Sequence, residues 1–381
     1  MKIVCSSSVL LGEEAFSTLG DVVVIREQQI NNETLKDADV LIARSGIRIN
    51  RDLMEGTSVG FAGSPVSGTD HIDAEYLNEM AIAWCAASGC NANSVSEYVI
   101  SALLYLTHRH GLILSGKTLG VIGVGNIGER VAQKAEALNM NVLKNDPPRK
   151  AATGDERFVS LRETLEGSDI VTLHVPLSTV EPYATYRMAD YGFFEKIKPG
   201  ALFINTSRGD VVDSDALQLA MDRGVILQAA LDVWENEPVI SKKLLDIVDI
   251  GTPHIAGYSY EGKLNGTRMV YRELCNYLEV KPVWEPPQSR TGNTLEIDAL
   301  GGTDEEVLWE VVRMAYDVDA DSRCFKAGAS SIPLSMGEQF IQYRRNYPYR
   351  KGFADQPVKM INAEKALADK TAGLGFQVYR R

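Results

Sequence analysis

The chain has 381 residues, too many for one ordinary hydrophobic core, so two or three domains are expected. Its hydrophobic fraction of 45% and formal net charge of −12 predict a globular protein that avoids nucleic acid and anionic membrane surfaces. The 5 cysteines show no CxxC spacing, which favours reduced thiols in the cytoplasm over a disulfide framework or a metal site.

Residues 1–93 alternate short apolar runs with helical patterns, which predicts a small α/β domain without a phosphate-binding loop of its own. Strands are predicted at Lys2–Cys5, Val22–Ile25, Val40–Ala43, Gly60–Ala62 and Ile82–Ala86. Two polar turns follow such strands, Arg44-Ser45-Gly46 and Pro65 to His71. Open α/β sheets expose these positions to ligands, although each pattern also fits an ordinary turn.

Ser94-Val-Ser-Glu97 has the form of a capping box. It predicts the start of a strongly apolar helix that runs to about His108. A helix of this kind, just before a glycine-rich stretch, marks the passage from one domain to the next.

The stretch from Leu119 to Asp146 predicts a dinucleotide-binding unit. An apolar run enters a turn containing Gly123, Gly125 and Gly128, a helical pattern follows, and a second apolar run ends at Asp146. The first glycine allows a tight turn, the second lets a pyrophosphate approach the backbone, and the third lets the helix pack close to the strand. The helix N-terminus then faces the phosphates, and the acid can accept hydrogen bonds from the ribose. Because all four parts are in register, we interpret this stretch as an NAD site.

After Asp146 the nucleotide-binding pattern resumes, and the unusual residues follow its strands. Strands are predicted at residues 170–174, 201–204, 226–231 and 248–251. At or directly after the ends of these strands come His174-Val175-Pro176, Asn205 to Gly209, Asp232, and Pro253-His254. In a doubly wound parallel sheet these positions share one edge with the glycine turn.

Hydride transfer from an alcohol needs a base for the hydroxyl proton and a cation that orients the reacting group. His254 lies on the predicted edge, near an acid-rich loop from Asp232 to Pro238 whose carboxylates can orient an imidazole and raise its pKa. A lone histidine is more often structural than catalytic, and the other histidines lack a convincing partner. Arg208 follows a third strand, and its guanidinium group suits bidentate binding of a carboxylate.

At these residues the chain resembles the NAD-dependent D-2-hydroxyacid dehydrogenases. The matching pieces are the glycine turn, Asn205-Thr-Ser-Arg208-Gly, Leu231-Asp-Val with Glu237-Pro, and His254. The resemblance implies an α/β protein with a Rossmann nucleotide domain, built on a doubly wound parallel sheet, and a flavodoxin-like substrate domain. It further implies that Arg208, Glu237 and His254 are the catalytic residues and that Asp232 contacts the nicotinamide.

A narrower resemblance, to one branch of this family, extends over the whole chain. It implies a small phosphorylated hydroxy acid as substrate, bound by Ser45, Val66 and Tyr258. The residues that it implies for NAD binding are Gly123, Gly125, Asn126, Ile127, Gly128, Asp146, Val175, Thr206, Ser207, Asp232 and Gly257. Val66 and Val175 stand where threonines are expected, so only backbone contacts survive there.

The predicted domains are a substrate domain at 1–93 plus 258–280, an NAD-binding domain at 94–257, and a C-terminal domain at 286–381 after a linker, Pro282–Thr294. The resemblance implies that the last is a small α+β dimerisation domain, so a homodimer is expected. A helix predicted near Glu305–Tyr316 offers an apolar face for its own core or for a partner copy. Three arginines of a basic aromatic cluster are candidates for reaching the substrate phosphate: Arg344, Arg345 and Arg350.

Two alternatives stay open from the sequence. The substrate can be another D-2-hydroxy acid such as 3-phosphoglycerate, although such enzymes usually carry a ferredoxin-like regulatory tail instead of an Arg/Tyr cluster. The chain can also be an NAD-sensing scaffold without activity, although a scaffold would not need the full set of Arg208, Glu237 and His254. Reduction of NAD with a panel of plain and phosphorylated hydroxy acids separates these possibilities.

Overall fold

The structure is a computed structural model that describes residues 1–287, 292–331 and 335–381. The chain divides into two compact units. The first contains Met1–Asn91 and the segment from Tyr258 to the first gap; the second contains Ala92–Gly257 and the described residues from 292 onward. Residues 288–291 of the predicted linker lie outside the described residues. None of the described helices is long and apolar enough to cross a membrane.

The first unit is built on a parallel sheet whose strands alternate with short helices. Its elements up to Asn91 are β1 (Lys2–Ser6), α1 (Gly12–Phe16), β2 (Asp21–Ile25), α2 (Asn32–Leu35), β3 (Val40–Ile42), α3 (Arg51–Met54), β4 (Phe61–Ser64), α4 (Ala74–Glu79) and β5 (Ala83–Ala86). The strand order is β2-β1-β3-β4-β5 and every neighbouring pair is parallel. This is the flavodoxin-like order, so the predicted strands and the predicted fold of this unit are confirmed.

Successive side chains of a strand point to opposite faces of the sheet, so alternate residues of the central strands pack in two separate cores. Ile3 and Val40 belong to one core, which also contains residues of the segment after Tyr258. Val4 and Leu41, the next residue of each strand, belong to the other. The sheet is therefore covered on both faces, and its carboxyl edge is left for loops.

The second unit carries a longer parallel sheet. Its elements up to Gly257 are α5 (Ala92–Arg109), β6 (Thr118–Ile122), α6 (Asn126–Ala137), β7 (Asn141–Asn145), α7 (Pro147–Thr153), α8 (Leu161–Gly167), β8 (Ile170–Leu173), α9 (Tyr191–Phe194), β9 (Ala201–Asn205), α10 (Ser214–Asp222), β10 (Ile226–Leu231), α11 (Lys242–Ile247) and β11 (Ile250–Gly251). The order is β11-β10-β9-β8-β6-β7. The order reverses between β6 and β8, which is the switch point where open α/β sheets bind ligands. The predicted Rossmann sheet is confirmed.

The start of α5 differs from the prediction. The helix begins at Ala92, so Ser94 lies inside it and does not cap it. The Glu97 carboxylate accepts hydrogen bonds from the side chain of Asn93 (2.7 Å) and from the backbone amide of Phe353 (2.9 Å). Glu97 is buried, and it serves a contact with a distant part of the chain in place of the local capping box.

The chain then returns to the first unit through α12 (Tyr260–Tyr277). The side chain of Ser259 caps this helix by accepting from the amide of Gly262 at 2.9 Å. The helix packs on β4 and β5, and the Thr267 hydroxyl donates to the carbonyl of Leu10 at 2.7 Å. These contacts fix the position of Tyr258, which stands just before the helix.

The C-terminal segment, from residue 292 onward, is part of the second unit and contributes to the same core as α5 and β6. Its elements are β12 (Leu295–Asp298), α13 (Asp304–Ala315), α14 (Val318–Ser331), α15 (Met336–Asn346), β13 (Val358–Ile361), α16 (Lys365–Gly373) and β14 (Val378–Arg380). The strands form a small parallel sheet of order β12-β13-β14. The apolar face of α13 packs on α5, and its buried residues are Val307, Leu308, Val311 and Val312. This face is therefore covered within the chain, and dimerisation through the segment stays a prediction.

Candidate active site

The glycine turn after β6 has the geometry of a nucleotide-binding loop. Gly123 has a φ of +85°, a conformation that favours glycine, and a Cβ atom there would lie 2.7 Å from the carbonyl group of His174. A Cβ atom at Gly128 would lie 2.1 Å from the carbonyl oxygen of Gly123. A Cβ atom at Gly125, the N-cap of α6, would meet nothing within 4 Å. The turn is tight, the helix packs closely on it, and open space lies before the helix N-terminus. These are the conditions for binding a pyrophosphate.

Asp146 follows β7, the neighbour of β6, and holds both the loop and the next helix. One carboxylate oxygen accepts from the amide of Val124 (2.8 Å), and the other accepts from the amide of Arg149 and caps α7 (3.0 Å). The Arg149 guanidinium group donates to the Val124 carbonyl and lies over the Phe158 ring, 5.2 Å from its centroid. A carboxylate has about four acceptor positions, so capacity for a ribose hydroxyl is left at Asp146.

His254 and Glu237 form a hydrogen-bonded pair in the loops after β10 and β11. The distance from His254 Nδ1 to Glu237 Oε2 is 2.7 Å, and Glu237 Oε1 accepts from the amide of Trp234 at 2.9 Å. Burial alone would raise the pKa of Glu237, but the His254 ring, these hydrogen bonds and the Arg344 guanidinium outweigh it and lower the pKa. The His254 side chain is 34% exposed. Nδ1 faces Glu237, so Nε2 is left for a reacting group.

The backbone at His254 is held in an unfavourable conformation by Asp232. His254 has a φ of +56°, in the left-handed region that non-glycine residues adopt only where the surroundings enforce it. Its amide donates to the carbonyl of Asp232 at 2.6 Å. The buried Asp232 carboxylate accepts from the amides of Ile255 and Ala256, both at 2.8 Å. Burial raises the pKa of Asp232, and these hydrogen bonds act against that rise. Asp232 thus supports the loop that carries His254.

Arg208 lies in the adjacent loop, after β9. The Asn205 side chain shapes this loop, because its Oδ1 accepts from the amide and hydroxyl of Ser207 (3.0 and 2.7 Å) and its Nδ2 donates to the Arg208 carbonyl (3.1 Å). A Cβ atom at Gly209 would overlap the Trp234 carbonyl oxygen at 1.8 Å. The Arg208 loop therefore touches the loop that leads to Glu237. The three candidate catalytic residues follow three neighbouring strands, β9, β10 and β11.

His174 is structural. Its ring nitrogens lie 3.0 Å from the Thr172 hydroxyl and 3.3 Å from the Thr206 hydroxyl. Burial lowers its pKa from 6.5 to about 3, so the ring is neutral. A methyl group of Val175 would lie 2.8 Å from a Cβ atom at Gly123, so Val175 packs against the glycine turn.

The remaining predicted NAD contacts lie along the carboxyl edge of the second sheet. Asn126 and Ile127 begin α6, Thr206 and Ser207 belong to the Arg208 loop, and Gly257 ends the segment that carries His254. Together with the glycine turn and Asp146, the edge brings all of the predicted NAD-binding residues to one face of this unit. The glycine turn has the geometry to bind the pyrophosphate of NAD, and Asp146 has acceptor capacity left for a ribose hydroxyl.

The predicted substrate residues lie in the first unit. Ser45 follows β3 in an exposed turn, and Val66 lies in the loop after β4. The Tyr258 ring has two cations close to it: the Arg44 guanidinium carbon lies 5.7 Å and Lys263 Nζ lies 4.2 Å from the ring centroid. Arg44 therefore links Tyr258 to the turn that contains Ser45.

Several supporting residues were not singled out from the sequence. The Tyr98 hydroxyl lies 2.6 Å from the hydroxyl of Thr252, which donates to Asp232 at 2.7 Å. Tyr98 and Thr252 are 154 residues apart in the chain. No local pattern signals a hydrogen bond between residues so far apart. Among the histidines, His71 lies 2.8 Å from the Ser64 hydroxyl and His108 stacks on Trp309.

Comparisons with known proteins agree with this geometry. Residues 101–256 match the family described as D-isomer specific 2-hydroxyacid dehydrogenase, NAD binding domain. The NAD-bound 3-phosphoglycerate dehydrogenase of Entamoeba histolytica superposes with a TM-score of 0.63 at 25% identity, over 75% of this chain and 99% of that one. A D-lactate dehydrogenase of Aquifex aeolicus, solved with NAD and lactic acid, gives a TM-score of 0.59 at 26% identity, over 73% and 95%. The fold and the site thus define an NAD-dependent D-2-hydroxyacid dehydrogenase.

Two relatives resolve the class further. The erythronate-4-phosphate dehydrogenase of Chromohalobacter salexigens is 38% identical over 380 residues, which cover 99% of both chains. The enzyme of that name from Salinibacter ruber is 40% identical over 362 residues, or 92% of both chains. Within its class, the chain belongs to the erythronate-4-phosphate dehydrogenase family.

Proposed function

We propose that this chain oxidises 4-phospho-D-erythronate at C2 to (R)-3-hydroxy-2-oxo-4-phosphooxybutanoate, with NAD as the oxidant, in pyridoxal 5'-phosphate biosynthesis. The observation that carries the proposal is similarity over 99% of the chain to erythronate-4-phosphate dehydrogenases, the C-terminal segment included. The reaction takes place in the cytoplasm, where the reduced state expected for the cysteines is maintained.

His254 is the proposed acid/base. When bound, NAD supplies the hydride acceptor at C4 of its nicotinamide ring. Neutral His254 accepts the C2 hydroxyl proton at Nε2, and the Glu237 carboxylate, 2.7 Å from Nδ1, stabilises the imidazolium that forms. Because Glu237 fixes the proton on Nδ1 in the neutral ring, Nε2 begins the reaction as an acceptor.

Arg208 is proposed to orient the substrate. Its guanidinium group matches a carboxylate bidentately, and a positive charge next to C2 also stabilises the oxyanion character that develops as the proton leaves. The position of the residue supports this role, because the Arg208 loop packs directly on the loop that leads to Glu237.

The proposed phosphate-recognition residues are the two cations at Tyr258. Arg44 and Lys263 lie on the Tyr258 ring, and two positive charges near one side chain form a favourable environment for a doubly charged phosphate. Ser45 adds a hydroxyl donor to the same turn, and Val66 contributes backbone groups only. Asn126, Ile127, Thr206, Ser207, Asp232, Gly257 and the backbone of Val175 are the proposed NAD contacts beyond the glycine turn and Asp146.

The test is reduction of NAD, followed by NADH absorbance, with 4-phospho-D-erythronate, D-erythronate, 3-phosphoglycerate and D-lactate. We expect kcat/KM for 4-phospho-D-erythronate to exceed that for 3-phosphoglycerate by about tenfold or more, because one carbon of chain length typically changes binding by that factor. A preference for 3-phosphoglycerate would favour the alternative substrate. NAD binding without turnover of any member would favour the scaffold.

A homodimer formed through the C-terminal segment is proposed as well. The face of α13 is covered within the chain, so the contact needs other residues. Leu300, after β12, is 77% exposed and is a candidate. Removal of everything after Val280 would uncover the core on α5, so a point variant is the sharper test.

Sedimentation of Leu300→Glu should show a shift from dimer to monomer at a concentration at which the unmodified chain is dimeric. Val283→Glu is the matched control, because Val283 is 74% exposed but lies in the first unit. A monomeric unmodified chain would refute the dimer. A dimeric Leu300→Glu would show that the contact lies elsewhere.

A further inference from the structure

The C-terminal segment does more than cover α5, because it contacts both loops that carry the candidate acid/base pair. The Ser322 hydroxyl on α14 accepts from the amide of Gly251, at the end of β11 (3.0 Å). Gly337 on α15 lies against the loop after Glu237, where a Cβ atom at Gly337 would be 3.2 Å from Val239. A third contact is made by Arg350, which follows α15 and bonds the carbonyl of Ala256, two residues after His254.

The Arg350 guanidinium group is buried and bridges two backbone carbonyls. Its Nη2 atom donates to Ser94 at 2.6 Å and to Ala256 at 2.7 Å. The group also lies over the Tyr316 ring, 4.1 Å from its centroid. Its Nε and Nη1 atoms are inaccessible to solvent and make no hydrogen bond to any residue that the structure describes. The side-chain hydrogen bonds of Arg350 therefore go to the carbonyls of Ser94 and Ala256.

The two carbonyls belong to residues that lie beside the two points where the chain passes from one unit to the other. Ser94 lies in the first turn of α5, directly after the passage between the two units at 91/92, and Ala256 lies just before the second passage at 257/258. Ala256 also follows His254 closely. Its amide is held by Asp232 and its carbonyl by Arg350, so the peptide groups on both sides of this residue are fixed.

An arginine that is available to bind a substrate phosphate at the surface would be exposed to solvent, whereas the Arg350 guanidinium group is buried. Burial of an arginine costs solvation, and the surroundings offset this cost through the carbonyls, the Tyr316 ring and the nearby Glu97 and Asp321 carboxylates. Such a group is ordered in advance of any ligand. Arg345, on the same segment, is exposed and provides the contrasting case.

We propose that Arg350 is a positioning residue for the reaction: by holding the carbonyls of Ser94 and Ala256 it fixes the loop that presents His254. The inference rests on the proposed role of His254 as the acid/base. His254 is held in the left-handed region, and loss of one support, the Arg350 contact with the Ala256 carbonyl, makes a more favourable backbone conformation accessible. A displacement of about 1 Å at a reacting group can cost about a hundredfold in rate.

The experiment compares Arg350→Met and Arg350→Lys with Lys134→Met in the full-length chain. Lys134 is the matched control because its buried ammonium group donates to the Leu374 carbonyl, so it also ties the C-terminal segment to the second unit. No described hydrogen bond joins it to the His254 loop. For each variant we would measure kcat, KM for the hydroxy acid, the pH profile of kcat, the NAD dissociation constant and the melting temperature.

Arg350→Met should lower kcat by about ten- to a hundredfold and shift the pH profile, with little change in NAD affinity. Arg350→Lys, which keeps the charge but reaches fewer acceptors, should lie between it and the unmodified chain. Lys134→Met should lower the melting temperature without changing kcat or the profile. If both Arg350→Lys and Arg350→Met kept the kcat and the pH profile of the unmodified chain, the inference would be overturned. If Arg350→Met does not fold, an unchanged Arg350→Lys would overturn it alone.

Failure of the proposed function has a separate signature. If His254→Ala keeps its turnover, the acid/base assignment is wrong whatever Arg350 does. If His254→Ala loses turnover while the Arg350 variants keep theirs, only the positioning role of Arg350 is wrong.

Discussion

The loops after β1 and β6 occupy the same place in two parallel sheets of related order, yet they are built differently. The orders are β2-β1-β3-β4-β5 and, read from its edge, β7-β6-β8-β9-β10-β11. After β6 come Gly123 and Gly125 and then the twelve-residue α6, which contains Gly128. Strand β1 ends at Ser6, and Ser7 and Ser8 follow it before the five-residue α1. In the first loop the Ser6 and Ser8 hydroxyls bond each other at 2.8 Å, so side chains occupy the turn.

The acidic residues that follow the neighbouring strands, β7 and β2, also differ in what they bind. Asp146 follows β7 and accepts from the amide of Val124, within the glycine turn. Glu27 follows β2 and accepts from the hydroxyl of Ser8 at 3.3 Å. One acid supports a loop that is open to a ligand, and the other completes a loop that is closed by its own side chains. Of these two loops, the one after β6 has the geometry of a nucleotide site and the one after β1 does not, because their turn residues differ although the topology is shared.

The largest effect is expected at His254, on the edge of the glycine-bearing sheet. His254→Ala should lower kcat by about 10²–10⁴, since a positioned base contributes about that factor. NAD affinity should stay normal, as measured by titration of protein fluorescence. His110→Ala, at an exposed histidine outside both sheets, is the control and should be unchanged. Near-normal turnover of His254→Ala would refute the assignment.

The glycine turns provide the next test. Gly128→Ala places a methyl group 2.1 Å from a backbone oxygen, which cannot move without opening the turn. We expect a loss of about 1–3 kcal/mol in unfolding free energy and weakened NAD binding. Gly12→Ala is the matched change in the first unit, where the new methyl group meets the side chains of Cys5 (2.7 Å) and Val9 (2.9 Å). It can lower stability, but it should leave NAD affinity unchanged. Equal loss of NAD binding in both variants would contradict the comparison.

Local patterns were sufficient to predict the glycine turn, because its geometry depends on contacts between Gly123, Gly128 and the strand beside them. The strands were predictable for a related reason, since burial on both faces produces continuous apolar runs. The pairing of His254 with a carboxylate was predictable only in outline. The acid-rich loop contains Asp232, Glu235 and Glu237, and the resemblance to a family selected the last.

The C-terminal segment marks the limit of such reasoning. The apolar face of α13 was predictable from its period, but the surface that it covers was not. That surface is α5, roughly two hundred residues earlier in the chain. Glu97 was interpreted as part of a capping box for the same reason: the competing partner, the amide of Phe353, is 256 residues away. Tertiary contacts of this kind override local capping preferences.

Cofactor selectivity sharpens the comparison between Asp146 and Glu27. Asp146→Ser should raise the ratio of kcat/KM for NADP to that for NAD by about tenfold, because the carboxylate that repels a 2′-phosphate is removed. The guanidinium group of Arg149, near the same turn, can then donate hydrogen bonds to that phosphate. Glu27→Gln should leave the ratio unchanged. A chain that already uses both cofactors equally would show that Asp146 does not select between them.

The smallest predicted effect concerns His174, under the glycine turn. Its pKa in the folded chain is about 3, against 6.5 ordinarily. Between these values the unfolded chain binds a proton that the folded chain does not, so acidification favours unfolding. The unfolding free energy should therefore fall below about pH 6.5, by at most about 1.4 kcal/mol per pH unit from this group.

His174→Gln should be less stable at pH 7, because the contacts with Thr172 and Thr206 are altered. Its stability should nevertheless fall less steeply between pH 6.5 and pH 5 in urea titrations. His108→Gln, at an exposed histidine of the same unit, is the control and should keep the steeper slope. Parallel curves for His174→Gln and the unmodified chain would mean that folding does not lower the pKa of His174, and the glycine turn would then lie over a ring that becomes a cation on acidification.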